Sequence, residues 1–245
     1  MTFEGKTAIV TGAGKGVGKE LSKQLLQLGA NVVAITRNEQ DLRDLDNETR
    51  EIQASSGTTL LQISGDVSKE ETVDRAINYT IEHFRKVDIL VNNAGIGIYG
   101  PLDDLSIEDY DAMMNTNMRS TFLFTKAVLP FMKQQRYGHI LNVASVAGKK
   151  GLPNETVYCA TKFAQIGFSQ ALDHEVRQYG IKVGSICPGG INTNFAIGTG
   201  RTLNDPAMEQ FLDAEDVVKG ILFMLEQSPK SRVIELFMRP ISEPL

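Results

Sequence analysis

The stretch that decides the fold is Thr7-Ala8-Ile9-Val10-Thr11-Gly12-Ala13-Gly14-Lys15-Gly16-Val17-Gly18. Thr7–Thr11 is a short β-branched, apolar run, as a strand buried on both faces requires. Glycines at 12, 14, 16 and 18 then allow a tight turn, and Val17–Leu28 carries a helical period that stops at Gly29. Outward from this junction the same alternation continues. Further strands are expected at Asn31–Thr36, Thr58–Ile63, Ile89–Val91, His139–Val143, Lys182–Ile186 and Arg232–Leu236. Helices are expected at about Glu39–Ala54, Lys69–Phe84, Tyr110–Gln134, Thr156–Tyr179 and Ala214–Glu226, with Ser68 and Glu71 forming a capping box at the third of the chain's helices. Such alternation specifies an α/β protein: a doubly wound, mostly parallel seven-stranded sheet between two helical layers. No linker or low-complexity stretch divides residues 1–245, which read as one domain. Residues 194–212 mix Gly198, Thr199, Gly200, Arg201 and Pro206 with apolar side chains, the composition of a mobile substrate lid.

Composition narrows the functional classes. The chain is 42% hydrophobic and 22% charged, with a net charge of −5 and scattered basic residues, which argues against a nucleic-acid partner. Cys159 and Cys187 belong to no C-x-x-C or Cys/His cluster and read as reduced, buried thiols. His83, His139 and His174 have no ligand spacing, so no metal site is expected. No signal-like h-region and no bilayer-length apolar run occurs, so the protein reads as cytoplasmic, without a membrane partner.

The glycine-rich turn has the spacing G-x-x-x-G-x-G through Gly12, Gly16 and Gly18, with Val17 where a strict G-x-G-x-x-G would end. Its position between a strand and a helix N-terminus makes it a cradle for a pyrophosphate, since the backbone can approach closely and the helix offers free N–H groups. The dinucleotide can be read from charge. An acid after the second strand would hold a ribose 2′-OH; here Arg37 stands there, and Lys15 lies in the glycine turn. Two cations suit a 2′-phosphate, so NADP(H) is expected over NAD(H).

Three side chains are expected at the carboxyl edge of the sheet, where ligands sit in such folds. Ser145 follows the fifth strand, and Tyr158 and Lys162, four apart, share one helix face. Reduction of a carbonyl needs a proton donor at oxygen while hydride arrives at carbon. A free phenol titrates near ~10, and a neighbouring ammonium lowers that value. Lys162 supplies that charge in this reading, and the Ser145 hydroxyl polarises the carbonyl.

With these motifs in hand, the chain resembles the short-chain dehydrogenase/reductase family over Gly5 to about Pro240, which carries a Rossmann-like fold. The resemblance rests on Thr11–Gly18, Asp66-Val67, Asn92-Asn93-Ala94-Gly95, Asn115-Thr116-Asn117-Met118, Ser145, Tyr158, Lys162, and Pro188-Gly189 followed by Thr193. It implies that Tyr158 is the acid–base group, Ser145 its carbonyl partner, and Lys162 the anchor of the cofactor ribose. Asn117 would link Lys162 to solvent through a water chain, with Asn115 the runner-up. Asp66 and Val67 would meet the adenine, and Asn93 and Gly95 would line the adenosine side, although N-N-A-G equally suits a structural pin. Pro188, Gly189, Ile191 and Thr193 would meet the nicotinamide half of the cofactor.

The resemblance implies an NADP(H)-dependent oxidoreductase acting on a small-molecule alcohol or carbonyl. The 3-oxoacyl-carrier-protein reductases are a candidate branch: Arg136 matches one of their two carrier-binding arginines, but the other position is Tyr179 and the ending Val233–Pro240 departs from theirs. The loop and Thr36-Arg37 also resemble carbonyl and xylulose reductases. A nucleotide-binding regulator with an idle site is the rival class. Arg201 is either a contact for an anionic substrate or a surface charge. The family's habit implies a homodimer or homotetramer through the helices at Tyr110–Gln134 and Thr156–Tyr179.

Overall fold

Along the central strands, alternate residues go to opposite faces of the sheet. Ala8, Val10, Val32 and Ala34 enter one core, and Ile9, Val33 and Ile35 the other. The computed structural model describes residues 2–243. Its strands are β1 (Thr7–Thr11), β2 (Asn31–Thr36), β3 (Leu60–Ser64), β4 (Ile89–Asn92), β5 (Gly138–Val143), β6 (Ile181–Pro188) and β7 (Glu235–Met238). Among the described residues they form one sheet in the order β3-β2-β1-β4-β5-β6-β7. Every pairing is parallel, so the expected "mostly parallel" sheet is wholly so.

Three helices cover the first face: α1 (Gly16–Gln27), α2 (Glu39–Ser56) and, after the intervening elements, α7 (Ala214–Leu225). They contribute Leu21, Leu25, Leu45, Val217 and Ile221 to the first core. The other face is covered by α3 (Glu70–Phe84), α5 (Ser120–Gln135) and α6 (Thr156–Val176), through Val73, Ile77, Phe124, Val128, Leu172 and Val176. A short α4 (Ile107–Met113) precedes α5. From β1 the chain winds outward through β2 and β3, then returns to β4 on the other side of β1. The carboxyl ends of β1 and β4 therefore part company, and a crevice opens at that switch point.

The structure revises three expected elements. The helix expected over Tyr110–Gln134 is divided: α4 runs into a π-helical turn, Met114–Arg119, before α5 begins. The Ser68–Glu71 capping box does not form. Asp66 accepts both the Ser68 N–H (2.9 Å) and the Ser68 hydroxyl (2.8 Å), and the cap position falls one residue later, on Lys69, which makes no side-chain cap. β7 lies at Glu235–Met238 rather than Arg232–Leu236. The Arg232 guanidinium donates to both oxygens of the buried Asp173 carboxylate (2.8 and 3.0 Å), which holds the segment before pairing with β6 starts at Ser185–Glu235.

No helix among the described residues is long and apolar enough to cross a membrane. None of their His, Cys, Asp and Glu side chains form a group of three or more that could hold a metal ion. Cys159 and Cys187 are both buried and free.

Candidate active site

The loop after β1 is assembled from backbone. Gly12 has φ +65°, a conformation that favours glycine, and a Cβ there would come within 2.9 Å of the Ala94 Cα. A Cβ on Gly18 would run into the Gly12 carbonyl oxygen, so α1 can approach the loop only because that residue has no side chain. Asn93 pins the neighbouring strand to the same loop: its Nδ2 donates to the carbonyls of Thr11 (2.9 Å) and Gly12 (3.2 Å). Asn93 thus serves as a structural pin through its amide, and it also lines the cavity that opens beyond the loop.

The start of α1 is unclaimed. Lys15, at its N-cap, makes no side-chain cap, and the first turn contains no acid. By contrast, α4 carries a complete capping box, and at the start of α7 the Asp216 carboxylate accepts the Asp213 N–H at 3.2 Å. Free N–H groups and the helix dipole at α1 form an anion site. Lys15 Nζ lies 3.7 Å from an Asp41 oxygen. Asp41, on α2, is therefore the acid nearest the loop, whereas Glu39 pairs with Arg43. Arg37 is exposed at the carboxyl end of β2. Burial alone would raise the Asp66 carboxyl, but the two Ser68 hydrogen bonds and the charges of Arg37 and Lys69 bring it below its ordinary value.

From this loop a cavity of about 600 Å³ runs to the carboxyl ends of β5 and β6. Lys15, Gly16 and Val17 line one end, with Thr193 packed beside Gly16, and Ser145, Tyr158 and Lys162 line the other. Gly95, Pro188, Gly189 and Ile191 also face it, whereas Gly18, Arg37, Asp66 and Val67 lie outside its walls. Gly18 packs behind the loop and Val67 belongs to the core under α3.

Tyr158 is 6% exposed and sits between two rings, Tyr99 at 5.4 Å and Phe195 at 5.8 Å between centroids. Burial pushes its phenol up to about 12; the Ser145 hydroxyl acts in the opposite direction, and the Glu155 carboxyl adds to the rise. Lys162, 3% exposed, is drawn down to about 7 by burial. Its Nζ stands 5.7 Å from the Tyr158 ring centroid and donates to the Val143 carbonyl and to Gln165 Oε1, both at 2.9 Å. The expected lowering of the tyrosine by the ammonium is overturned, because desolvation dominates at both groups.

Asn117 lies buried on the π-helical turn, while Asn115 is exposed. The Asn117 side chain accepts the Ile96 N–H (2.8 Å) and donates to the Ile96 carbonyl (2.9 Å) and the Thr161 hydroxyl (3.0 Å). It makes no direct bond to Lys162. A direct chain of hydrogen bonds joins the two through Gln165, whose Nε2 donates to the Asn117 carbonyl and whose Oε1 accepts from Lys162 Nζ, both at 2.9 Å.

The segment expected as a lid lies over the cavity. The Thr199 hydroxyl donates to the Gly97 carbonyl, and the Tyr99 N–H donates to the Thr199 carbonyl, both at 2.7 Å. Arg201 is not a free surface charge: its guanidinium lies 5.8 Å from the Phe195 ring and 5.3 Å from the Phe211 ring, and donates to the Ile191 carbonyl. Arg136 reaches the Gln178 carbonyl (3.0 Å) and lies over the Tyr179 ring.

Sequence reasoning missed Tyr99, Glu155, Gln165 and Glu243. Burial raises both the Tyr99 phenol and the Glu155 carboxyl. Glu243 accepts the Gly190 N–H at 2.8 Å. None carried a local signal: even Gln165, three residues beyond Lys162 on one helix face, reads as an ordinary helix residue.

Comparison with known proteins adds three findings. A family model described as short chain dehydrogenase matches residues 6–203. An uncharacterized oxidoreductase of Staphylococcus epidermidis is 34% identical over 236 residues, covering 96% of this chain and 97% of that one. Among solved structures, serine dehydrogenase in its closed form with NADP+ superposes with a TM-score of 0.87 at 28% identity, over 98% of this chain and 96% of the other. A metagenomic short-chain oxidoreductase in complex with NADP gives 0.83 at 27% identity, over 99% and 100%.

Proposed function

The chain belongs to the short-chain dehydrogenase family of oxidoreductases, and on that premise we propose that it interconverts an alcohol and a ketone or aldehyde, using NADP(H) and Tyr158 as general acid/base. The observation that carries this reading is the convergence of Ser145, Tyr158 and Lys162 on one end of a cavity whose other end is a glycine loop and an uncapped helix.

The residues fit a nicotinamide dinucleotide. Gly12, Gly16 and Val17 of the turn line the cavity, and the first turn of α1 carries no side-chain cap. Gly16 and Val17 would receive the pyrophosphate, and Lys15 and Arg37 the 2′-phosphate. Asp66, Val67, Asn93 and Gly95 would flank the adenosine. Lys162 would hold the adjoining ribose, with Pro188, Gly189, Ile191 and Thr193 around the nicotinamide. When bound, that cofactor supplies or accepts the hydride.

This chain's own part is to move one proton and exclude water. A phenol near 12 is fully protonated at neutral pH, so Tyr158 stands ready to donate to a carbonyl oxygen. The Ser145 hydroxyl accepts the Ala147 N–H at 3.1 Å and faces the Tyr158 phenol, so a carbonyl oxygen seated between them would receive both protons. Tyr99, Phe195 and the 194–212 segment form the apolar cover of the reacting end. Arg136 is engaged by Gln178 and Tyr179, which disfavours the carrier-protein reductase reading. The exposed Phe122 and Phe163 on α5 and α6 support a dimer or tetramer through that face, which light scattering would test.

A panel of small ketones, diketones and acetoacetyl thioesters with NADPH tests the activity, with Tyr158→Phe as control. Turnover that falls by about 10²–10⁴ in the variant is expected. Full activity in the variant would remove Tyr158 from its role. Binding of NADPH without turnover of any carbonyl would favour the regulator.

A further inference from the structure

Gln165 is fully buried on α6, three residues from Lys162. A buried primary amide must find partners for an acceptor oxygen and two donor hydrogens. Here all are found in one place. Oε1 accepts from Lys162 Nζ at 2.9 Å, and Nε2 donates to the Asn117 carbonyl (2.9 Å) and the Thr121 hydroxyl (2.8 Å). A carbonyl oxygen cannot donate, so the Asn117 carbonyl dictates which way the amide faces and turns Oε1 toward Lys162. The Thr121 hydroxyl also donates to that carbonyl, at 2.8 Å, which ties the amide's two acceptors to each other.

The consequence falls on the ammonium. Lys162 has three N–H groups; one is taken by the Val143 carbonyl and one by Gln165. At a tetrahedral nitrogen, two fixed bonds set the direction of the third, and Lys162 lines the cavity. We infer that Gln165 is a positioning residue, which aims the Lys162 ammonium into the cavity and sustains its charge there. Its catalytic meaning rests on the proposed reading of Lys162; its effect on the charge does not.

The groups facing Lys162 are few. On its own helix lies the Tyr158 phenol, and on β6 the Cys187 thiol, which acts to raise the lysine. From β5 comes the Val143 carbonyl, while the neutral Asn117 and Thr121, from the π-helical turn and α5, bond to Gln165. Against burial, the ammonium thus relies chiefly on two neutral oxygens, and Gln165 supplies one of them. Hydrogen bonding to the charged form favours that form.

The test is a titration of Lys162 in the cofactor-free protein, read from the ¹³Cε resonance of labelled lysine. In Gln165→Met, of similar shape but without the acceptor, the lysine should titrate at least about one unit lower, a tenfold smaller ammonium ratio. In Gln165→Glu it should titrate higher by about as much. Where turnover is measurable, the alkaline limb of the kcat profile should follow the same two directions. At neutral pH Gln165→Met should lower kcat about fivefold, while the carbonyl KM stays within about twofold. A purely structural glutamine would alter stability and leave the titration alone. Unchanged Lys162 titration in both variants would overturn the inference. Should Gln165→Met fail to fold, Gln165→Glu, close to isosteric, still decides. In the unaltered protein the Gln165 side-chain carbonyl resonance should move in step with Lys162, and independent movement would also overturn it. Shifted titration without turnover on any carbonyl would uphold Gln165 while refuting the proposed reaction.

Discussion

The two ends of the cavity are built by different means. At the Gly12–Gly18 end the working groups are main chain: a turn at positive φ, a helix whose first N–H groups have no cap, and cations that stay near water. At the Tyr158 end they are side chains withdrawn from water, and neighbours from five parts of the chain surround them. Ser145 follows β5, Lys162 and Gln165 belong to α6, Asn117 to the π-helical turn, Tyr99 to the loop after β4 and Phe195 to the covering segment. The difference lies in what sets the chemistry. A backbone cradle depends on local conformation, whereas the protonation of Tyr158 and Lys162 depends on how much solvent the distant neighbours remove.

Substitutions at the two ends should therefore fail in different ways, and the largest effect is expected at the buried end. Ser145→Ala removes the hydroxyl facing the carbonyl position and should lower kcat by about 10²–10³. NADPH affinity should stay near normal, as steady-state kinetics and a binding titration would reveal; loss of affinity instead would erase the distinction between the ends. The next effect is on stability and carries a definite sign. Lys162 titrates near 7 when folded against an ordinary 10.5. Between those values the unfolded chain holds a proton that the folded one lacks, so this group makes stability rise with pH and fall as pH drops through the window. Lys162→Met should flatten that rise in urea midpoints recorded from pH ~7 to ~10. An unchanged slope would mean that the lysine is not desolvated.

At the glycine end, Gly18→Ala drives a methyl into the Gly12 carbonyl and should cost about 1–3 kcal/mol in urea denaturation. NADPH binding should weaken with it, because the loop and α1 must separate. Wild-type stability and affinity together would mean that the close approach is dispensable. The smallest effects belong to the exposed cations. Arg37→Ala should weaken NADPH by about five- to tenfold and leave NADH unchanged. Lys15→Ala should do less, about threefold at most, since Asp41 already offsets that charge. Equal losses for both cofactors would remove the case for a 2′-phosphate site.

How far the chain could be read in advance follows the same divide. The buried strands β1, β2 and β4 declare themselves through short apolar runs rich in β-branched residues, as strands covered on both faces favour. The last strand starts three residues later than its pattern suggests because Arg232 and Ile234 look equally strand-like in one dimension, and only Asp173, buried on α6, captures the arginine. The π-helical turn left no mark in the periodicity of Tyr110–Gln134, yet it is what sends the Asn117 side chain inward to Ile96. Ser145, Tyr158 and Lys162 were legible from their order and spacing. Gln165 was not, since a glutamine on a long helix ordinarily reads as a solvent-facing residue. Tyr99 and Glu155 were hidden for a similar reason: nothing in their local sequence tells which wall they will join.

By itself, then, the sequence determined the alternation of strand and helix, the glycine turn after β1, and the identity of the groups able to move a proton. These are properties of backbone conformation and short-range spacing, written within a few residues of where they act. Tertiary structure alone decided the strand order, the partners of Lys162 and Arg201, and the direction in which Tyr158 and Lys162 are shifted. Desolvation and hydrogen-bond geometry are set by residues far apart in the chain, and no local pattern encodes them.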